Sequence, residues 1–373
     1  MQKPRHADQG NFVSEWFGYR VYPSVAEKAS SIEVQRAGLC PFLSQATGER
    51  RTCIKAESSS GICTISSCSN GPRQDWLVCP YRVLNVDLFA DVARRLFRPR
   101  EGAAVALVPA SGLGASENRR RIEQVAAARD LAIIYFQGKL GGEISVPPTP
   151  RSPELSFDTT MVEVVAGDDG ALSLGRYGIF EVQTMDFHGS YRSAVKNLKD
   201  ALRLHGSAFP SEVRKNPSWL SERIEGPNIA NVFKRTFYQM MLKFRIGEHR
   251  LCAGSALAVP ASVWDSWQRH LGGPELKPRT DGTATLSYVA RTRDGGAPAW
   301  IYVFDVDASS TEHPNPIVVK LVIATDAESL AHYALRVVPD AAVAEGGSAD
   351  RILSVVERRL AAWWPELASI GSR

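Results

Sequence analysis

DTTMVEVVAGDDGALSLGRYGIFEVQ, residues 158–183, reads as a β-hairpin. Asp169-Gly170 sits between two apolar runs, the strongest short-range signal for a tight turn between antiparallel strands. A two-residue turn centred there sets Asp158 directly opposite Glu181. Opposed residues share a face of the sheet with their Cβ atoms roughly 5 Å apart. Gln183, two residues on, returns to that face. A bulge at Gly167 or Gly175 would slide the pairing by one residue. Two carboxylates held this close repel each other unless a cation lies between them, and oxygen ligands of this kind suit Mg²⁺. Tyr177 and Ile179 precede the pair on one face while Phe180, Val182 and Thr184 line the other. A strand apolar on both sides belongs inside a sheet, where an acidic residue needs a partner.

Working along the chain, Asp87–Phe97 has amphipathic helical periodicity. A strand at Ala103–Pro109, a helix at Glu117–Ala128 and a strand at Leu131–Phe136 follow. Gly112-Leu113-Gly114 lacks the remaining residues of a phosphate loop. Beyond the hairpin, Asn228–Phe244 reads as a long helix capped by Asn228 and stopped near Gly247. A strand at Cys252–Val259 leads to a Trp-rich helix opened by Pro260. Strands at Trp300–Val306 and Ile317–Ile323 and helices at Ala327–Leu335 and Ala349–Trp364 complete the pattern. This alternation predicts an α/β fold, a mixed sheet flanked by helices. On the long helix Asn231, Lys234, Arg235 and Tyr238 form a polar stripe opposite Phe233, Phe237, Met240 and Phe244. Such a stripe fits phosphate contact or major-groove reading, and equally an ordinary solvated face.

The 373 residues are enough for one large or two modest domains, and the net charge of +4 does not by itself mark a nucleic-acid binder. Basic residues are locally clustered at Arg119–Arg121, at Lys234-Arg235 and around Arg94–Arg100. No apolar run approaches membrane-spanning length. Met1–His6 lacks an apolar signal core, so a cytoplasmic protein with reduced cysteines is expected.

Five of the six cysteines fall between Cys40 and Cys79 in a turn-rich segment, which predicts an element held by a metal rather than by a core. Cys40, Cys53, Cys63 and Cys79 are separated by twelve, nine and fifteen residues. Four thiolates would make a closed tetrahedral site for zinc or iron. Cys68 competes as a ligand on spacing alone, while Cys252 sits in an apolar strand as a core thiol does.

Asp-(spacer)-Glu-x-Gln is similar to the PD-(D/E)XK nuclease core with Gln in place of the usual Lys. The words Arg176-Tyr177-Gly178, Gln183-Thr184-Met185-Asp186-Phe187-His188-Gly189, Glu225-Gly226-Pro227-Asn228, Asn231-Val232-Phe233-Lys234-Arg235 and Lys139-Leu140-Gly141-Gly142-Glu143 resemble the NotI-like type II restriction endonucleases. The resemblance runs from about Asn11 to the last helix. It implies a PD-(D/E)XK restriction-endonuclease core over residues 98–373, carrying nuclease and DNA recognition, and an N-terminal four-cysteine region over residues 1–97.

It further implies that Cys40, Cys53, Cys63 and Cys79 hold a structural iron, with zinc the alternative. Asp158 and Glu181 would hold catalytic Mg²⁺, with Gln183 and Glu143 in the active site and Asn231, Lys234 and Arg235 at the DNA. Gln183 can orient a water but cannot carry positive charge; the family shares this Gln. The implied protein is a homodimer in the cytoplasm of a prokaryotic cell, paired with a DNA methyltransferase. It would cut palindromic GC-rich duplex DNA by phosphodiester hydrolysis. The rival expectations are a metal-stapled DNA-binding protein without cleavage, or a structure-specific repair nuclease of the same fold.

Overall fold

A computed structural model describes residues 10–69, 71–138, 140–287, 296–307, 309–310 and 314–365. Met1–His6 and Lys139, used in the sequence reading above, lie outside these residues.

The large sheet has nine strands, in the order Lys277–Pro278, Ala284–Thr285, Ile317–Thr325, Ala299–Val306, Cys252–Pro260, Leu172–Val182, Thr159–Ala166, Leu131–Gln137 and Val105–Pro109. It is mixed. Leu172–Val182 runs antiparallel to Thr159–Ala166 and parallel to Cys252–Pro260. Helices flank it: Val86–Phe97 packs against Leu172–Val182 and Cys252–Pro260, and Ile229–Ile246 also packs against Cys252–Pro260. The expected mixed α/β sheet is therefore present. Among the described residues no helix is long and apolar enough to cross a membrane.

Each face of the sheet carries its own core. Leu257, Val259, Ile301, Val303 and Ile323 join Phe233, Met240 and Phe244 of the long helix on one side. Met161, Phe180, Ala256, Trp300 and Tyr302 join Leu88, Val92 and Leu96 on the other. Phe180 is fully buried and meets Phe89 edge to face at 5.2 Å. Aromatic pairs in this geometry add to the free energy of burial. Full burial of consecutive residues on both faces, Ile179 and Phe180, is what places Leu172–Val182 in the sheet interior.

The N-terminal segment departs from expectation. A four-stranded antiparallel sheet, ordered Tyr19–Arg20, Phe12–Trp16, Ile62–Ser67, Gln74–Leu77, runs through it. Trp16, Ile62, Ile65 and Trp76 are at most 1% exposed and belong to the same core cluster as the long helix. This segment is therefore built into an apolar core that it shares with the rest of the chain. Its residues escaped the helical and alternating templates because short strands interrupted by Gly and Ser carry little period-2 signal.

The Asn228 expectation is corrected in part. Asn228 occupies the N-cap position of Ile229–Ile246, yet its side chain makes no capping bond, and Gly247 ends the helix as expected. Asn85, by contrast, caps Val86–Phe97 through bonds accepted from the Asp87 and Leu88 amides.

Candidate active site

The hairpin register brings the acidic pair together by a route the simple turn did not anticipate. Next to the turn Leu172 pairs with Ala166, so the loop is one residue longer than a two-residue turn. Between Leu174 and Tyr177 the ladder shifts back, with Gly175 and Arg176 facing the single residue Glu163. That bulge has a local cause. A Cβ at position 175 would come within 2.9 Å of the Glu163 carboxylate, and Arg176 pairs with the same carboxylate at 3.6 Å. Beyond the bulge Gly178 pairs with Met161 and Phe180 with Thr159. The next opposed residues are Asp158 and Glu181.

Their side chains are tied crosswise to each other's backbone. The Asp158 amide donates to Glu181 Oε1 at 3.2 Å, and the Val182 amide donates to Asp158 Oδ2 at 3.0 Å. Both line a cavity of about 280 Å³ together with Glu143, Gln183, Asp186, Arg235, Thr236 and Lys243. Burial, followed by the nearby Asp158 charge, pushes the Glu181 carboxyl up from 4.5 to about 8, with Lys243 pulling the other way. A carboxyl so raised is short of positive charge. A divalent cation bound by Asp158 and Glu181 would supply it, so the residues present fit Mg²⁺.

Gln183 is held rather than loose. Its amide oxygen accepts from the Thr236 hydroxyl, and one amide hydrogen goes to the Thr184 carbonyl. One N–H is left for the cavity. Glu143 is exposed at the rim. On the long helix Asn231, Lys234 and Arg235 are all exposed, but only Arg235 of the three lines the cavity. There Asp186 accepts from its guanidinium at 2.8 Å. His188 is exposed in the short strand Phe187–Gly189.

The sequence reading missed Lys243, Thr236 and Asp186. Lys243 is buried, 7% exposed in its side chain, and its ammonium donates to Glu181 Oε2 at 2.5 Å. The signal was available. Thr236, Met240 and Lys243 follow at steps of four and three, which puts a lysine in the middle of the buried stripe of the helix. A charged residue on such a stripe needs a buried partner.

The second cluster lies in the N-terminal segment. Cys40, Cys53, Cys63 and Cys79 line one small cavity of about 10 Å³ with Lys55 and Tyr81. Cys68, near Arg73 at the end of Ile62–Ser67, does not line it. A hydrogen bond between Cys63 and Cys79 raises the Cys63 thiol and, with the Lys55 charge and backbone donors, lowers Cys79 to about 6. Burial pushes Cys40 up to about 11. A thiolate at Cys79 amid three further thiols is the donor set for a soft cation. Among the described residues, however, no three His, Cys, Asp or Glu side chains stand in metal-holding geometry. The thiols converge without closing into a ligand shell. Buried Arg82, just past Cys79, anchors this segment by pairing with fully buried Glu15 at 3.2 Å.

Comparison of the chain with protein-family models and with curated proteins finds no match.

Proposed function

We propose that this protein is a Mg²⁺-dependent phosphodiester hydrolase of the PD-(D/E)XK type. In its finer form it is a type II restriction endonuclease cutting both strands at a palindromic GC-rich site. The observation that carries the reading is the pairing of Asp158 and Glu181, tied together by the Asp158 amide on Glu181 and the Val182 amide on Asp158, in the lining of a cavity that also holds Gln183. The sequence words shared with NotI-like enzymes supply the substrate class.

Asp158 and Glu181 would hold Mg²⁺, which supplies a bound water of lowered pKa and positive charge for the scissile phosphate. The chain's own residues do the rest. Gln183, fixed by Thr236 and Thr184, presents its remaining N–H to orient a water or a phosphate oxygen. Arg235, pre-positioned by Asp186 at the mouth of the cavity, can grip a backbone phosphate of the duplex. Lys234 and Asn231 continue that exposed stripe.

The four thiols would hold iron, or zinc, in a structural role beside the site. Homodimerisation, cytoplasmic location in a prokaryotic cell and a partner methyltransferase follow from the same family resemblance and are proposed with it.

Incubation with GC-rich genomic DNA in Mg²⁺ is the direct test. Discrete bands with uniform ends are expected, and a smear would point to a structure-specific nuclease instead. A second reading, DNA binding without cleavage, draws on one observation: Lys243 already occupies Glu181 Oε2, an oxygen a cation would need. Sequence-specific retention of DNA without strand breaks in Mg²⁺ or Mn²⁺ would favour it.

A further inference from the structure

Asp158 and Glu181 put two carboxyl groups on one face, and Gln183, at the strand position where a lysine would add a cation, is neutral. The positive charge is nevertheless present in three dimensions. Lys243 reaches Glu181 from the last turn of Ile229–Ile246, and its ammonium also lies 5.6 Å from the centre of the Phe157 ring. It lines the same cavity as Asp158, Gln183 and Glu143. Its placement is fixed from behind, because Ser255 Oγ donates to the Lys243 carbonyl at 2.8 Å. Burying an ammonium is costly unless it is paired, and breaking such a pair is costlier still. A site built only to hold a divalent cation gains nothing from a fixed like charge beside its ligands.

We propose that Lys243 is a catalytic residue of this site, supplying from the helix the positive charge that a Glu-x-Gln strand lacks; this rests on reading the site as a phosphodiester hydrolase. The attacking water forms the new P–O bond as the bond to the leaving sugar oxygen breaks. The water gives up its proton to bulk solvent, and the leaving oxygen collects one there. Lys243 keeps its own protons throughout and acts by charge and hydrogen bonding on the attacking oxygen and the phosphate.

The role predicts two effects of opposite sign, which a structural prop would not produce. In Lys243→Met and Lys243→Gln, Mg²⁺ or Mn²⁺ should bind the DNA-free protein roughly tenfold more tightly by calorimetry, since a like charge is gone from beside the carboxylates. Cleavage of GC-rich genomic DNA at saturating Mg²⁺ should slow by about 10²–10³-fold, the usual loss when a fixed group that stabilises developing charge is removed. Gln can still donate to Glu181, so that variant guards against loss of fold, and Lys243→Arg, which retains charge, should recover about tenfold or more of the lost rate.

Cleavage by both neutral variants within about threefold of the wild-type rate would overturn the proposal. So would parallel loss of metal binding and cleavage, which would make Lys243 only a support for Glu181. A wild-type protein that cuts while the neutral variants cut equally well sinks the role of Lys243 alone. A wild-type protein that cuts no DNA in Mg²⁺ or Mn²⁺ sinks the hydrolase reading and this role with it.

Discussion

Replacing Glu181 by Gln should make the metal-free protein's stability far less sensitive to pH. Glu181 is held at about 8 in the fold against an ordinary 4.5, chiefly by burial and secondly by Asp158. Because the folded value lies above the unfolded one, the stabilising contribution is fully present below the unfolded value. It drains away as pH rises towards about 8. Between about pH 4 and about pH 7 the unfolded chain gives up this proton while the folded chain keeps most of it, at about 1.4 kcal/mol per unit. Folding should therefore lose about 3 kcal/mol over that interval from this one group. Other carboxylates titrate in the same range, so the quantity to measure is the difference between wild type and Glu181→Gln. Gln is neutral, like the protonated Glu181 it replaces over this range, and its amide oxygen can still accept from Lys243, so the substitution adds no pH dependence of its own. Urea unfolding in EDTA at closely spaced pH values, both proteins in parallel, gives the curves. The variant should gain on wild type by about 3 kcal/mol across the interval. Curves that run parallel would show that Glu181 does not hold its proton to a raised pH in the metal-free site.

Asp158→Ala or Glu181→Ala should abolish Mg²⁺-dependent cleavage while leaving sequence-specific DNA binding largely intact; gel-shift and digestion on the same DNA check this, and a cutting variant removes the assignment. Cys53→Ser and Cys79→Ser should drop bound iron or zinc from about one per chain to none. Because Trp16, Ile62, Ile65 and Trp76 bury that segment in the core it shares with the long helix, circular dichroism should show the fold retained; a folded wild-type protein with no transition metal by elemental analysis would refute the site. DNA affinity should fall steeply between roughly 50 and 200 mM salt as Lys and Arg contacts release counterions. A flat response would argue against phosphate contact by Arg235 and Lys234.

The longer strands and the helices of the sheet were readable because each is an apolar or periodic run, whereas the two-residue strands Lys277–Pro278 and Ala284–Thr285 are too short to carry a pattern. The acidic pair was readable too, though through two departures that offset each other. The loop takes one residue more than the Asp169-Gly170 turn would, and the bulge at Gly175-Arg176 returns it. Neither is visible in hydrophobic pattern: the bulge depends on how Glu163 meets the backbone across the ladder, and the longer loop on the Gly167–Ala171 bond and the Asp169 side chain. The N-terminal sheet was not readable. Its strands are short, and its largest residues are buried by pairing between segments up to 54 residues apart, as with Phe12 and Ser66. Local pattern carries no trace of such pairing.

Lys243 shows why part of the candidate site escapes a strand-by-strand reading. Its distance from Glu181 along the chain is 62 residues, and nothing near either residue announces the other. What joins them is the packing of the end of Ile229–Ile246 onto Cys252–Pro260, the parallel neighbour of the strand bearing Glu181. That packing requires a close backbone approach. Gly247 has an ordinary helical φ of −56°, so its need for glycine does not lie in its conformation. A Cβ there would come within 2.7 Å of Ser255 Oγ and 3.0 Å of the Pro298 carbonyl. Ser255 is the residue whose hydroxyl holds the Lys243 carbonyl. The helix stop that sequence reads as punctuation is thus also the contact that lets the helix end settle on the sheet. That settling sets an ammonium from one element against a carboxylate from another.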